Sequence, residues 1–178
     1  GPPVELGADG ASIWAQSCGS LRALLLRPAQ GDTSIIVQRV PKTLTQQQLY
    51  EEFCHAGFNN AVDLFHLPVD CRKQRNLGFC AVNFRTADLA QRFCQAVPSI
   101  RVVAPGAPRT LVATLAQRQG FPAMLGHIVG SITSSPPGGR VQENLPLIFT
   151  EEGEPVRFPV PVGVVPPRWE GAGRPSRR

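Results

Sequence analysis

The segment Gly78-Phe79-Cys80-Ala81-Val82-Asn83-Phe84 constrains the fold of this chain most. It is short, opened by a glycine and rich in residues that pack well on a pleated surface, which predicts a β-strand. Side chains alternate across a strand, so Cys80, Val82 and Phe84 share one face and Phe79, Ala81 and Asn83 the other. The fold must therefore present a layer to Cys80, Val82 and Phe84, and the chain on either side has to supply it.

Upstream, Ser34-Ile35-Ile36-Val37-Gln38-Arg39-Val40 is β-branched and stopped by Pro41, which predicts a first strand. A complete helix start follows. Thr45 and Gln48 form a capping box, and Leu44 with Leu49 forms a hydrophobic staple. The helix runs through Phe53 and Cys54 to a stop at Gly57. Val62 to Leu67 is a second strand ended by Pro68, and Arg72-Lys73-Gln74-Arg75 is a basic loop before the strand at Gly78. Thr86 caps a second helix, with Asp88 in its first turn and Leu89, Ala90 and Phe93 on its apolar face, bounded by Pro98. Arg109 to Ala116 reads as a fourth strand. The order βαββαβ predicts an α+β, ferredoxin-like domain: a four-stranded antiparallel sheet with two helices on one face. Ile35, Val37, Cys80, Val82 and Phe84 would face those helices. Ile36, Gln38, Phe79, Ala81 and Asn83 would face away onto an open sheet.

Four units are expected along the 178 residues: a flexible arm at 1–30, with a short helix near Ser20 to Leu26; the domain at 31–118; a C-terminal extension at 119–161; and a disordered tail at 162–178. The 17 Gly and 18 Pro crowd the ends, which marks the flanks as irregular. In the extension, Leu125, Ile128, Val129 and Ile132 recur at helical spacing, and Pro122 is tolerable in the first turn. This amphipathic helix is expected to pack on the domain edge near strand four. Leu145 to Phe149 is a short apolar patch.

Function class follows from charge and from what is missing. Net charge is +5, carried almost wholly by Arg, with Lys42 and Lys73 the two lysines; this suits a polyanionic partner. The five Cys include no C-x-x-C pair and stand at no zinc spacing from His55, His66 or His127, so neither a metal site nor a disulfide scaffold is expected. No apolar run is long enough to span a membrane, and a nuclear or cytoplasmic setting is expected. No cofactor is called for. No nucleophile–base pairing appears, and Pro41-Lys42-Thr43-Leu44 is not the Gly-rich, Arg-bearing loop that acylphosphatases place after strand one, so catalysis is not expected.

The strand at 77–84 resembles the octamer signature of the RNA recognition motif, with Gly78, Phe79, Val82 and Phe84 matching. Leu77 and Ala81 depart from it, and Ile36 stands where strand one often has an aromatic. The resemblance implies single-stranded RNA stacked on the open face. The candidate RNA-binding residues are Ile36, Gln38, Arg39, His66, Arg72, Lys73, Arg75, Phe79, Ala81 and Asn83, with Phe79 as a stacker, His66 as either a stacker or an exposed bystander, Gln38 and Asn83 as base-edge readers, and the basic loop on phosphates. Each missing aromatic forfeits about 1–3 kcal/mol of stacking, so binding is expected to be weak or assisted by the extension.

A narrower likeness runs from Thr33 to Pro159. Thr33 to Pro41, Asp63 to Asp70, Asn76 to Asn83, Gln119-Gly120 with Leu125 and His127, and Pro146 to Phe149 with Gly153 and Phe158-Pro159 resemble, in order, the C-terminal RNA recognition motif of the Mei-two-like family. Ala81, Gln117 and Leu145 depart from that pattern. The resemblance implies RNA binding in meiotic or developmental post-transcriptional regulation, with the extension built onto the domain. The other reading is a protein-interaction module on the same fold, its sheet covered by the extension helix or a partner peptide; a protein partner could equally use the extension.

Overall fold

The computed structural model describes residues 23–26, 31–70, 72–103, 109–133 and 144–156. Most of the expected arm and the whole of the expected tail lie outside these residues, as does Cys71.

The domain begins with β1 (Ser34–Gln38), shorter than the predicted strand because Arg39 takes a left-handed backbone (φ 66°) and turns the chain out of the sheet. Helix α1 (Gln46–Phe53) carries the predicted capping box: Gln48 N–H donates to Thr45 Oγ1 at 3.1 Å, and Thr45 N–H donates to Gln48 Oε1 at 2.9 Å. The helix widens over Cys54–Phe58 and ends as Gly57 adopts φ 103°, open to glycine and strained for other residues. Strand β2 (Val62–His66), the short hairpin β3 (Val69–Asp70) and β4 (Arg75–Asn76), and β5 (Phe79–Phe84) follow. Helix α2 (Ala87–Ala96) starts where Thr86 Oγ1 accepts from Leu89 N–H at 3.1 Å.

The predicted fourth strand is two pieces. A small hairpin pairs β6 (Arg101–Val102) with β7 (Arg109–Thr110), and β8 (Val112–Leu115) pairs with β1. Leu111 between the pieces is buried in the core and divides them.

The sheet has six strands rather than the expected four. Beyond the β8-β1-β5-β2 core, β9 (Leu147–Phe149) pairs antiparallel with β2, and β10 (Pro155–Val156) pairs with β9. The apolar patch at 145–149 thus becomes a strand that closes the β2 edge. It is tied on both faces. Phe149 stacks on Tyr50 of α1 (centroids 5.1 Å), while Ile148 joins an apolar cluster on the opposite side. Gln46 fastens the approach to this strand, donating from Nε2 to the Leu145 carbonyl at 2.9 Å and accepting from Leu67 N–H at 2.8 Å.

Two apolar clusters sandwich the sheet. One holds Ile35, Val37, Cys80, Val82 and Phe84 against Leu49, Phe53, Ala90 and Phe93, as alternation predicts. The second lies on the face expected to be open. Helix α3 (Phe121–Thr133) crosses that face, and Phe121, Met124, Leu125, Ile128, Val129 and Ile132 are buried on it with Leu64 and Ala81. Leu24 and Leu25, in a helical turn at residues 23–25, join the same cluster, so this part of the expected arm is packed. The expectation that the extension helix sits at the edge near strand four is therefore corrected. It lies across β2 and β5, because Leu64, Ala81 and Ile148 offer it an apolar floor.

Leu125 is fully buried in this second cluster. Leu125→Ala is expected to lower unfolding free energy by about 2–5 kcal/mol in urea titration. A loss of about 0.5 kcal/mol or less would mean that α3 is not docked.

Candidate nucleic-acid interface

The cover over the sheet begins at Ser34. The Gln119 side-chain amide behaves like an extra peptide unit beside β1: Ser34 N–H donates to its Oε1 at 2.8 Å, and its Nε2 donates to the Ser34 carbonyl at 2.9 Å. Gly120 N–H donates to Ser34 Oγ at 2.8 Å, with the Gly120 backbone left-handed at φ 98°. Ser34 Oγ then donates to Asn83 Oδ1 at 2.7 Å, and Thr33 Oγ1 donates to the same oxygen at 2.8 Å. Asn83 Nδ2 donates to Asp63 Oδ1 at 2.8 Å. Asn83 is thus a buried anchor of the start of α3, and its amide is turned inward rather than offered to a base edge.

His66 is also removed from solvent. Its Nε2–H donates to the Asn144 carbonyl at 2.9 Å, while Asn144 Oδ1 accepts from Val69 N–H at 3.1 Å. Burial drives the imidazole pKa down from 6.5 to about 4. Both readings of His66, base stacker and exposed bystander, require solvent access, and burial under the extension corrects both. Ala81 is buried and Ile36 half-buried by the same cover. Four of the ten candidate residues, Ile36, His66, Ala81 and Asn83, are therefore not on an open face. Period-two alternation identifies which side they occupy; it carries no information on what covers that side.

The other six are exposed: Gln38, Arg39 and Phe79 at the end of β1 and the start of β5, and Arg72, Lys73 and Arg75 on the separate β3–β4 hairpin. The register aligns Phe79, Gln38 and Val112 in one row across β5, β1 and β8, and all three are exposed, Phe79 by 36%. Leu77, just ahead of β5, is exposed as well. The β3–β4 hairpin leads through Leu77 and Gly78 directly into this row at Phe79. Asp70 Oδ1 accepts from the backbone N–H of Arg72 and Lys73, which shapes the turn, and Arg72, Lys73 and Arg75 are exposed at it. Asn76 locks the hairpin base to the domain, donating from Nδ2 to the carbonyls of Pro41 and Leu44 and accepting from Gly78 N–H at 2.7 Å. Lys42 belongs to the same group, since its Cε lies 3.5 Å from where a Gly78 side chain would begin. Arg39 is exposed at the end of β1. A left-handed backbone costs a non-glycine residue roughly 1–2 kcal/mol, so the surrounding structure holds Arg39 there against a local penalty. In the sequence Lys42, like Arg39, reads equally as a phosphate contact and as a solvated side chain; Val112 is not singled out there, and the pairing of β8 with β1 brings it into the row.

The candidate site is thus an exposed ring and an exposed amide in one row, with five exposed cationic residues on the segments that leave β1 and lead into β5. Among the described residues, no group of three or more His, Cys, Asp or Glu is placed to hold a metal. No helix among them is long and apolar enough to cross a membrane.

Residues 35–102 match the family model of the RNA recognition motif. The fold is that of an RNA recognition motif. Among solved structures, the chain is similar to the sex-lethal protein in its RNA complex (26% identity, TM-score 0.41, covering 51% of this chain and 53% of that one). It is also similar to the Rna15 recognition motif with bound GU RNA (15%, 0.41, 53% and 94%) and to the second recognition motif of the yeast poly(U)-binding protein Pub1 (18%, 0.39, 50% and 99%). The chain spans about half the length of the sex-lethal chain it matches. No curated protein matches it. The domain departs from that motif's octamer at Ala81, and the cover explains the tolerance of a small residue there.

Two measurements test this account of the covered face. Ala81→Phe, which restores the signature aromatic, is expected to destabilise the domain by about 1–3 kcal/mol through overpacking beneath α3; unchanged stability in urea would show that the cover stands clear of position 81. Because the folded state holds His66 neutral, the unfolded chain takes up a proton first on acidification. Stability should be constant above about pH 6.5 and fall between 6.5 and 4, by on the order of 3 kcal/mol in total. His66→Gln should flatten that segment of the pH–stability curve, and an equally steep segment in the variant would remove His66 as its cause.

Proposed function

We propose that this chain binds single-stranded RNA with the uncovered end of its sheet. The observation that carries the reading is the exposed row of Phe79 and Gln38 beside Arg39, Lys42, Arg72, Lys73 and Arg75. An aromatic face stacks any base, an amide hydrogen-bonds a base edge, and the cations meet phosphates. The match of residues 35–102 to the RNA recognition motif supports the same reading. The biological role we attach to it is post-transcriptional regulation, in a nuclear or cytoplasmic setting, as the resemblance to the Mei-two-like family suggests. The role is binding, and no step of catalysis is assigned to the site.

A protein-interaction module is the second reading, and the covered sheet favours it: α3 takes the area on which a recognition motif usually stacks bases. Salt separates the two. Phosphate contacts release counterions and weaken steeply as salt rises, whereas an apolar peptide interface responds little.

Fluorescence anisotropy with a mixed single-stranded RNA pool, at two salt concentrations, is the test. Phe79→Ala is expected to cost about 1–3 kcal/mol of binding. The triple change of Arg72, Lys73 and Arg75 to Ala should reduce the log–log salt slope by roughly 0.7 per lost phosphate contact. Absence of binding by the wild type at low salt would discard the RNA reading and leave the protein partner.

A further inference from the structure

If the uncovered end of the sheet binds RNA, as proposed above, its dimensions also limit the footprint. A recognition-motif sheet with its face open stacks two or three bases. In this chain the row next to Phe79–Gln38–Val112 is Ala81, Ile36 and Thr114, of which Ala81 is buried, Ile36 half-buried and Thr114 exposed. The row beyond it, at Asn83 and Ser34, is consumed by the network that anchors α3. The apolar cover over β2 and β5 closes the usual path of RNA across the sheet. The surface that remains is the Phe79–Gln38–Val112 row with Thr114 at its β8 margin, and the distance from Phe79 to Val112 across two strand gaps is about 10 Å.

We propose that this end of the sheet is a single-base site. One unstacked base of a single-stranded RNA lies on the Phe79 ring, and the Gln38 amide reads its edge. The phosphates flanking that base are held by Arg39 and Lys42 at the end of β1 and by the Arg72–Arg75 turn. Gln38 offers both a donor and an acceptor, so it discriminates among bases even though the ring does not. Its register position directly beside Phe79 puts the amide next to the platform. Ile36 and Ala81 present no ring on which a neighbouring base could stack. The ligand class is therefore a short single-stranded RNA element in which one base is recognised and its neighbours contribute through phosphate alone.

The test is an anisotropy series with labelled oligoribonucleotides of increasing length, at low salt, on the full chain, with the base at the centre of the trimer varied. Affinity is expected to level off at about three nucleotides, apart from the statistical gain of multiple registers on longer strands. The four central bases should differ in affinity for the wild type, and Gln38→Ala, an exposed change, should bring them within about twofold while some binding remains. Affinity that climbs tenfold or more between tetramer and dodecamer would overturn the single-base site and leave RNA binding standing. Equal affinity of the wild type for all four central bases would overturn it as well. Absence of binding at every length would instead overturn the RNA reading on which it rests.

Discussion

The packing of α3 across the sheet is the interaction on which the rest of the structure depends. Strand β2 shows why. All five of its residues are buried, with Val62 and Phe65 in one cluster and Leu64 in the other. A strand buried on both sides needs a layer on both sides. Residues 46–53 and 87–96 supply one layer, and residues 121–133 supply the other. Once the second face is dry, every polar group on it must find a partner inside the protein. Asn83 does so with Thr33, Ser34 and Asp63, and His66 does so with Asn144. The same residues that would meet bases on an open sheet are here the fastenings of a closed one.

The domain itself was legible in the sequence. The capping box at Thr45 and Gln48, the cap at Thr86, the stop at Gly57 and the division of β1 and β5 into two faces each rest on local rules, and local rules can be read from a single chain. The partner of the second face was legible only as an alternative, in the reading that covers the sheet with the extension helix or a partner peptide. The stripe Leu125, Ile128, Val129 and Ile132 shows that α3 must bury one side, but periodicity does not say against what. One signal was present. Ile36, Leu64 and Ala81 are apolar at positions that an open sheet would leave wet, and a helix with an unassigned stripe follows in the same chain. The added strand at 147–149 is a long-range pairing of three residues, below the length at which alternation carries information. For His66 and Asn83 the ambiguity was chemical, since a polar side chain among apolar neighbours reads equally as a ligand group and as an internal fastening.

Two departures that look separate in the sequence have one physical cause. Ile36 and Ala81 replace the rings on which bases usually stack, and an apolar helix lies over them. A bulky ring at position 81 would compete with the apolar side chains of the cluster that α3 forms over the sheet, because protein interiors are close-packed and tolerate added volume poorly. Conversely, a sheet without rings gains little from being left open. Stacking and closure are therefore alternatives for this face, and the chain has taken closure over most of it. In the RNA-binding role proposed above, recognition falls to the strand ends, where Phe79 and Gln38 escape the cover, and to cations outside it. Such a surface draws more of its affinity from phosphates than from bases. Its selectivity has to come from the few groups, Gln38 foremost, that can tell one base edge from another.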